Sequence, residues 1–271
     1  MSEERNPYAA PRAPVLTPAG AAAEPGEGQL RAEPAKLRAG AGADWISAGW
    51  ELFKSAPMLL VLVFVLYLVL SLAAAMIPVV GDLFMSLTFG LWSAAFYLMG
   101  DKLRRGESIG IGDLFAGFQH RQAGRLFGVG LVYVGLGAVL LVALFMVAML
   151  LFGINFFEAI MNDSGPGDLG ALPWVSILLV ITLLLVGVFL ILASVIFAPA
   201  LVAFHDVPVL TACGMSLKAM LRNWPAMTIY GLIVVGLAIA SIITLFLAWL
   251  VLMPLLAMAG YVAYRQIFVE A

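Results

Sequence analysis

The stretch PVLTACGMSLKAMLRNWPAMTIYGLIVV, residues 208–235, decides the fold because it joins two kinds of helix at a proline. In its first half, apolar residues recur at steps of three and four with polar residues on the opposite side, which predicts an amphipathic helix. The apolar set is Leu210, Cys213, Leu217, Met220, Leu221 and Trp224, and the polar set is Thr211, Lys218, Arg222 and Asn223. Pro225 ends this pattern, and no charged residue follows it before Arg265. The stretch therefore predicts a helix lying on a membrane surface, followed by helices that enter the membrane.

The composition is that of a polytopic membrane protein. Hydrophobic residues make up 63% of the chain and charged residues 11%, and the mean hydropathy is +1.07. Because about a quarter of the residues of a soluble domain are charged, this composition excludes a soluble protein. The formal net charge of -2 gives no indication of a nucleic-acid partner. The single cysteine, Cys213, is interpreted as a small packed residue and not as a reactive thiol.

Residues 1–42 differ from the rest of the chain because they are rich in Ala, Pro, Gly and Glu. Such a segment cannot bury enough apolar surface to offset the entropy lost on ordering, so we predict a disordered tail on the cytoplasmic side. It lacks the apolar core and the cleavage site of a secretory signal, and no cleavage is expected. Residues 43–271 are predicted to form one transmembrane domain.

Six apolar stretches are predicted to cross the ~30 Å hydrocarbon core of a bilayer, and the last two share the 43 residues 226–268, which is close to the minimum for two spans. They are residues 58–78, 83–99, 126–152, 174–198, 228–245 and 251–264. Segment 78–82 is predicted to be a tight turn outside the membrane, and segment 153–173 a loop. The last reversal is expected within 246–250, and one long kinked helix over 226–268 is the alternative. The predicted fold class is therefore all-α, a membrane bundle of six transmembrane helices.

The positions of the fourteen Lys and Arg residues predict the orientation of the chain. All of them lie in the N-terminal tail or in segments that follow even-numbered spans, and none lies between the two spans of a hairpin. The positive-inside rule places these basic segments in the cytoplasm. We therefore expect a multi-pass protein of a bacterial inner membrane, with both its N-terminus and its C-terminus in the cytoplasm.

Three stretches share an amphipathic run, a basic or amide-bearing end and a breaker before the next span. They are AGWELFKSAPMLLVLVF from residue 48, AGFQHRQAGRLFGVGLVY from residue 116 and MSLKAMLRNWPAMTIYGLIVV from residue 215. Asp44 and Asp113 are predicted to cap the first two of these helices. The pattern indicates three hairpins, each preceded by an interfacial amphipathic helix, in units 43–107, 108–207 and 208–268. The alternative is that any hairpin with basic ends has this appearance.

Four further stretches carry a resemblance to a known family. They are GWELFKSAP at 49–57, FAPALVAFHDVP at 197–208, SLKAMLRNWPAM at 216–227 and YVAYRQIF at 261–268. Together they resemble an uncharacterised family of bacterial six-span inner-membrane proteins, similar to the membrane domain of some glycerophosphoryl diester phosphodiesterases. The resemblance covers about residues 43–271 and implies the six-span fold. It implies no activity, because the catalytic domain of those phosphodiesterases has no counterpart in this sequence.

No arrangement of residues in the spans suits catalysis. The spans carry no ionisable residue of the kind that proton relays and metal sites need. The spacings HExxH and CxxC and the P-loop are absent from the sequence, so we predict no enzyme, no cofactor and no metal. His120, His205 and Asp206 are interpreted as groups near the cytoplasmic boundary, with His205 and Asp206 bonded to the start of the next amphipathic helix.

A basic cluster is the candidate binding site. Its members are Lys102, Arg104, Arg105, Arg121 and Arg125. Such a cluster attracts anionic lipid head groups at ~1 kcal/mol per charge, although the same residues also determine topology. The first hypothesis is therefore a non-enzymatic protein whose cytoplasmic face binds membrane lipid or a partner protein, and no nucleic acid.

The alternative function is a transporter or channel for a neutral or lipid-like solute. It rests on hydroxyl residues in the spans, namely Ser71, Thr88, Ser93, Thr182, Ser194, Thr228, Ser241 and Thr244. Small residues at a spacing of four, such as Gly90/Ala94 and Gly236/Ala240, also allow helices to approach closely. That approach serves packing within the bundle or a homo-oligomer.

Overall fold

The computed structural model describes residues 28–161 and 174–270. The described residues form helices α1 (Ala41–Ser55), α2 (Pro57–Ala75), α3 (Val80–Leu87), α4 (Phe89–Arg104), α5 (Ala116–Gln119), α6 (Ala123–Met161), α7 (Trp174–Val195), α8 (Ala198–His205), α9 (Val209–Arg222), α10 (Trp224–Ser241) and α11 (Trp249–Phe268). Two short 3-10 helices, Ile111–Phe115 and Ile242–Thr244, complete them. The only β-type pairing in these ranges is a single bridge between Leu30 and Val269. The predicted all-α fold class is confirmed.

Five helical spans are long and apolar enough to cross a membrane: Pro57–Ala75, Ala123–Leu151, Trp174–His205, Trp224–Thr244 and Trp249–Phe268. A sixth results when α3 and α4, which are bent by 46°, are counted as one span. The chain is thus a multi-pass integral membrane protein. α6 continues to Met161, past the predicted start of the loop at residue 153, because no proline interrupts it. The rest of that predicted loop, residues 162–173, lies outside the described residues.

The bend between α3 and α4 falls at Thr88, inside the predicted second span. The Thr88 hydroxyl donates a hydrogen bond to the carbonyl of Phe84 at 2.7 Å and accepts one from the indole Nε1 of Trp92 at 3.0 Å. Side chains that bond to backbone carbonyls within a helix commonly bend it. Two residues later, Gly90 brings α4 onto α6, since a Cβ there would lie 2.1 Å from the carbonyl oxygen of Leu126.

The chain reverses between α10 and α11 at Leu245 and Phe246, which have positive φ values of 49° and 65°. Both helices meet α1 at the other end of the bundle. A Cβ on Gly42 would lie 2.1 Å from the carbonyl oxygen of a residue in the first turn of α10, and Trp45 donates a hydrogen bond to Gln266 near the end of α11 at 2.9 Å. The two helices therefore run in opposite directions. This excludes the alternative of one long helix and confirms the predicted turn to within one residue.

The three amphipathic segments pack in a cyclic order. α1 packs on α11, the last helix of the third hairpin, while the 3-10 helix Ile111–Phe115 and α5 pack on α4 of the first. α9 packs on α7 and α8, which end the second hairpin. Each amphipathic segment thus contacts the last helix of the hairpin that precedes it, and α1 closes the ring. The three-unit architecture predicted from the sequence is present in this packing.

A small residue occupies the same position in each of the three units. Gly49, Gly117 and Ser216 are the second residues of the three aligned stretches. A Cβ on Gly49 would lie 2.6 Å from a backbone nitrogen of α11, and one on Gly117 would lie 2.0 Å from a backbone oxygen of α4. Ser216 donates a hydrogen bond to the carbonyl of Ala193 in α7 at 2.7 Å. Each unit therefore needs a small side chain where its amphipathic segment contacts the backbone of the helix on which it packs.

The two predicted helix caps differ. Asp113 is not the N-cap, because the 3-10 helix begins at Ile111 and Gly110 occupies the cap position, but its carboxylate accepts a hydrogen bond from the backbone N–H of Gly110 at 2.8 Å and so closes the first turn from within the helix. Asp44 is not a cap, because α1 already begins at Ala41. Its carboxylate instead pairs with Arg38 at 2.8 Å. The three residues before Asp44, Ala-Gly-Ala, are also helical. The helix therefore begins about one turn earlier than predicted.

Residues 28–40, which sequence analysis assigned to a disordered tail, form an extended segment bound to the rest of the chain. The backbone N–H groups of Arg31 and Ala35 each donate a 2.8 Å hydrogen bond to the end of α11. The amide of Asn223 donates to the carbonyl of Ala35 and accepts from the N–H of Leu37, both at 2.8 Å. These backbone bonds do not depend on apolar side chains. A boundary between tail and folded domain that is predicted from composition therefore falls too late in the sequence. Residues 1–27 lie outside the described residues.

Burial is concentrated at one end of the bundle. α8 is buried along most of its length, as is the C-terminal half of α11. In the most apolar parts of the spans Ala123–Leu151 and Trp174–His205, almost no residue is buried by the rest of the described chain. Apolar surface of this extent requires lipid or another apolar surface around it. The spans therefore extend from a compact, protein-packed end into a region suited to a bilayer.

Candidate functional site at the basic end of the bundle

Every described Lys and Arg lies at this compact end, which we name the basic end. It consists of residues 28–40, α1, the segment from the C-terminal end of α4 to the first turn of α6, the segment from α8 to α9, and the C-terminal end of α11 with the residues that follow it, joined by contacts among them. Twelve Lys and Arg side chains and eight Asp and Glu side chains of the described chain lie there, an excess of four positive charges. All the segments predicted to be cytoplasmic are thus gathered at one end. Which side of the membrane that end faces stays a prediction.

Two of the five predicted lipid contacts, Lys102 and Arg125, are held in ion pairs. Lys102 Nζ lies 2.7 Å from a carboxylate oxygen of Asp113. Arg125 pairs with the carboxylate of Asp206 and also donates to its backbone oxygen at 2.9 Å. Arg121 differs, because it is exposed and no ion pair to it occurs among the described residues. Of these three cations, Arg121 is therefore the one with its charge unbalanced by a neighbour.

The other two predicted contacts, Arg104 and Arg105, surround Asp101, whose side chain is almost fully buried. Tyr261 donates a hydrogen bond to Asp101 Oδ1 at 2.5 Å, and Arg104 Nη2 lies 3.0 Å from the same atom. Arg104 Nε also donates to the Tyr261 hydroxyl at 2.9 Å, and Arg265 lies 3.9 Å from Asp101. A buried carboxylate needs several such partners to remain charged. The network therefore joins α4 to α11.

Sequence reasoning placed Asp101 on a polar surface and missed this network. The signal was available only in part: YVAYRQIF places Tyr261 and Arg265 four residues apart, hence on one face of a helix. The partner segment DKLRR lies about 160 residues earlier, and nothing in either segment alone indicates that they meet. Arg104 and Arg105 thus have a structural role beside the lipid contact predicted for them.

The two histidines have different surroundings. His120 Nδ1 accepts a hydrogen bond from the backbone N–H of Gln122 at 3.2 Å, and burial together with the neighbouring Arg121 lowers its pKa. His205 Nε2 is buried and has no hydrogen-bond partner among the described residues. Asp206 ends α8 with a positive φ of 56° and pairs with Arg125. The prediction that Asp206 binds the start of the next amphipathic helix was therefore wrong.

The extended N-terminal segment is also held by charge. The two carboxylate oxygens of Glu33 lie 2.8 Å from Lys218 Nζ and 2.8 Å from Arg222 Nη1. Hydrogen bonds from these two cations lower the pKa of Glu33 to about 2. The polar face predicted for α9 therefore carries the segment that precedes α1.

The face of α9 that packs on the protein is made of small residues. They are Ala212, Cys213, Ser216 and Ala219. Burial raises the pKa of the Cys213 thiol to about 11, so the side chain is a neutral packed group, as predicted. The bulky residues of the predicted apolar face remain largely exposed, with Leu210 at 75% and Trp224 at 64%. α9 therefore has a second, outward apolar surface that no described residue covers.

Among the described residues, no group of three or more His, Cys, Asp or Glu side chains is placed to hold a metal ion. The chemistry of the basic end is thus that of fixed charges and exposed apolar side chains. Comparison with family models, curated proteins and solved structures gives no match for this chain.

Proposed function

We propose that this chain is a non-enzymatic protein of a bacterial inner membrane that binds anionic membrane lipid through its basic end. In this proposal the basic end faces the cytoplasm, and both chain termini lie on that side. A protein partner at the same face is the competing occupant. The sequence has no HExxH, CxxC or P-loop spacing. Its GxSxG spacing, GESIG at 106–110, lies in the loop that follows α4 and not at the strand-to-helix turn of a nucleophile elbow, which supports a binding role over catalysis.

One observation carries the proposal: an excess of four positive charges at the end where the spans leave the bilayer. Each cation near an anionic leaflet contributes ~1 kcal/mol of attraction, and the contribution falls off within about 10 Å. Arg121 supports it most directly, because it is exposed, unpaired among described residues and two residues before the start of α6. The exposed Leu210 of α9 and Trp224 at the start of α10 supply apolar contacts of the kind that interfacial helices make.

The test is native mass spectrometry of the protein released from nanodiscs that contain an anionic and a zwitterionic lipid. We expect anionic lipid to be retained in preference, and Arg121→Gln to reduce that retention. Arg38→Gln is the matched control, since Arg38 is exposed but already balanced by Asp44. Equal retention of both lipids, or no effect of Arg121→Gln, would contradict the proposal. A lipid-free oligomer would favour a protein partner, with a second copy of the chain as the first candidate.

Removal of Lys102, Arg104 and Arg105 together is a poor test of lipid binding. Arg104 and Arg105 are partners of the buried Asp101, so neutral replacements leave a charge uncompensated in the core. A loss of bound lipid in such a variant would report unfolding as readily as lost contact. The exposed Arg121 avoids this ambiguity.

The alternative function, a transporter or channel for a neutral or lipid-like solute, rested on hydroxyl residues in the spans. Four of these, Ser71, Thr182, Ser194 and Thr228, donate hydrogen bonds to the carbonyl four residues earlier in their own helix, at 2.7–2.8 Å. They are thus occupied within their helices and do not favour a polar path for a solute. Binding at the basic end has the better support.

The proposed orientation has its own test. A reporter enzyme active only outside the cytoplasm should be active when fused after Asp168 and silent when fused after Ala271. The reverse pattern would place the basic end outside. The proposed kinship with the six-span family similar to phosphodiesterase membrane domains would be supported by a member structure with the same cyclic packing of three amphipathic segments, and a different packing would count against it.

A further inference from the structure

A cleft of about 500 Å³ lies between α3, α6 and α7, away from the basic end. Two close contacts create it. A Cβ on Gly130 would lie 1.9 Å from a backbone oxygen of α3, and one on Gly187 would lie 2.4 Å from the side chain of Leu140. Between these levels Gly137 has no neighbour within 4 Å of its Cβ position, and space remains beside it. The cleft is within the range of ~300–1,000 Å³ that small-molecule sites occupy.

The walls of the cleft are apolar, and its polar side chains are Asp82, Ser86 and Tyr133. Asp82 lies in the first turn of α3 and is exposed to the cleft. Tyr133 comes from α6 and is fixed by stacking on Phe89, with ring centroids 5.4 Å apart. A single carboxylate thus faces an otherwise hydrophobic cavity, close to one aromatic ring.

The cleft lies level with the middle of the two longest spans. Its wall on α6 is drawn from residues 133–141, at the centre of the span Ala123–Leu151. Its wall on α7 is drawn from residues 184–192, at the centre of the span Trp174–His205. Asp82 was predicted to lie in a turn outside the membrane, and the sequence was therefore interpreted as having no ionisable group within the spans. In the inference drawn here, Asp82 lies within the membrane at the depth of these two midpoints.

Asp82 has no cationic partner in the described chain. No ion pair or hydrogen bond to its carboxylate occurs among residues 28–161 and 174–270, and Tyr133 is the other titratable group that lines the cleft. The sequence has no Lys or Arg between Arg125 and Lys218, so α6, α7 and their connection cannot supply one. A carboxylate among apolar side chains at membrane depth is costly unless a counter-charge accompanies it. The described chain supplies no such counter-charge, and a cationic ligand would.

We infer that the cleft binds a lipophilic organic cation. Asp82 balances the charge of the ligand, the apolar walls of α6 and α7 enclose its hydrocarbon body, and Tyr133 offers a ring for a cation–π contact. The combination selects for positive charge and apolar bulk together. An anion is repelled by the carboxylate, and a small hydrophilic cation makes no favourable apolar contact with the walls. This site is separate from lipid binding at the basic end and does not depend on it.

Tetraphenylphosphonium is a suitable probe, and tetraphenylborate is its matched control with the same shape and the opposite charge. We expect radiolabelled tetraphenylphosphonium to bind the purified full chain in nanodiscs, measured against empty nanodiscs, and tetraphenylborate not to bind specifically. Asp82→Asn should weaken tetraphenylphosphonium binding by about tenfold or more, since it removes the charge at contact distance in a weakly screened site. The substitution removes no contact that the described residues make, so folding should be preserved.

A pair of glycine variants locates the site. Gly137→Phe places a ring in the cleft and should abolish binding, whereas Gly135→Phe, also open around its Cβ but outside the cleft lining, should leave binding unchanged. Any one of four results would overturn the inference: no binding to the unmodified protein, equal binding of tetraphenylborate, unchanged affinity in Asp82→Asn, or equal losses in the two glycine variants. Size-exclusion profiles of all variants confirm that the folded protein is compared.

Discussion

Asn223→Ala tests how the N-terminal segment is held on the basic end. Asn223 is fully buried, and its amide makes three hydrogen bonds: two at 2.8 Å to residues 35 and 37 of the segment and one at 3.1 Å to the carbonyl of Ala219. The alanine variant loses all three and leaves segment groups without partners while docked. The bond to Ala219 lies within α9 and does not change on docking, so two bonds at roughly 1 kcal/mol each give a loss of about 2 kcal/mol, and since ~1.4 kcal/mol is a factor of ten, the undocked-to-docked ratio rises about thirtyfold.

Hydrogen–deuterium exchange in nanodiscs measures this ratio directly. The N–H groups of Arg31, Ala35 and Leu37 are bonded only when the segment is docked, so their exchange should accelerate by about the same thirtyfold. Amides in α4 should keep their rates, which separates local undocking from global unfolding. Thr211→Ala, an exposed change on α9, is the control. If exchange in the segment rises by less than about threefold, the hydrogen-bond reasoning is wrong.

Three further changes test other contacts. Gly49→Val forces a side chain against the α11 backbone, 2.6 Å from its nearest atom, and should lower thermal stability by about 2 kcal/mol, while Gly112→Ala, with no atom within 4 Å, should not. Tyr261→Phe removes the donor of a 2.5 Å hydrogen bond to the buried carboxylate of Asp101 in α4. It should lower the free energy of unfolding by about 1–3 kcal/mol, measured by thermal melting. An unchanged melting midpoint would show that the hydroxyl is dispensable. Because the pKa of Glu33 is lowered from 4.5 to about 2, its stabilisation of the segment is complete above pH 4.5 and is lost as the pH falls toward 2. Exchange protection of the segment should follow that window and lose this dependence in Glu33→Gln, and an identical profile in both proteins would refute the assignment.

The spans were predictable because the cost of exposing apolar residues to water acts over about twenty residues and needs no knowledge of partners. The same holds for the three repeated units, since the helix period is local. The turn at Leu245 and Phe246 was placed only approximately, because neither residue is a usual turn former and the sequence offers no glycine at the positive-φ positions.

The basic end was predictable in composition but not in pairing. The cluster from Lys102 to Arg125 was identified by its charge, yet the partners of these cations lie on segments up to 160 residues away in sequence. The periodicity of apolar residues also indicates only which residues share a face of a helix, and not which part of the protein or membrane that face contacts. On α9 it selected the bulky residues that remain exposed, while the packing face consists of small ones.

The closed order of packing has a consequence for synthesis. Of the described helices, α1 leaves the ribosome first and its main partner α11 last, so the face of α1 that bears Gly49 does not meet α11 until the third hairpin has been inserted. The final contact of assembly then joins the two extremities of the described chain, where the N–H of Glu270 donates to the carbonyl of Gln29 at 2.9 Å. A ring of this kind has no obligatory starting point. A circular permutant would join these extremities and open the connection after α4. It should form the same packing although its helices are synthesised in a different order, with α1 following α11 instead of preceding it.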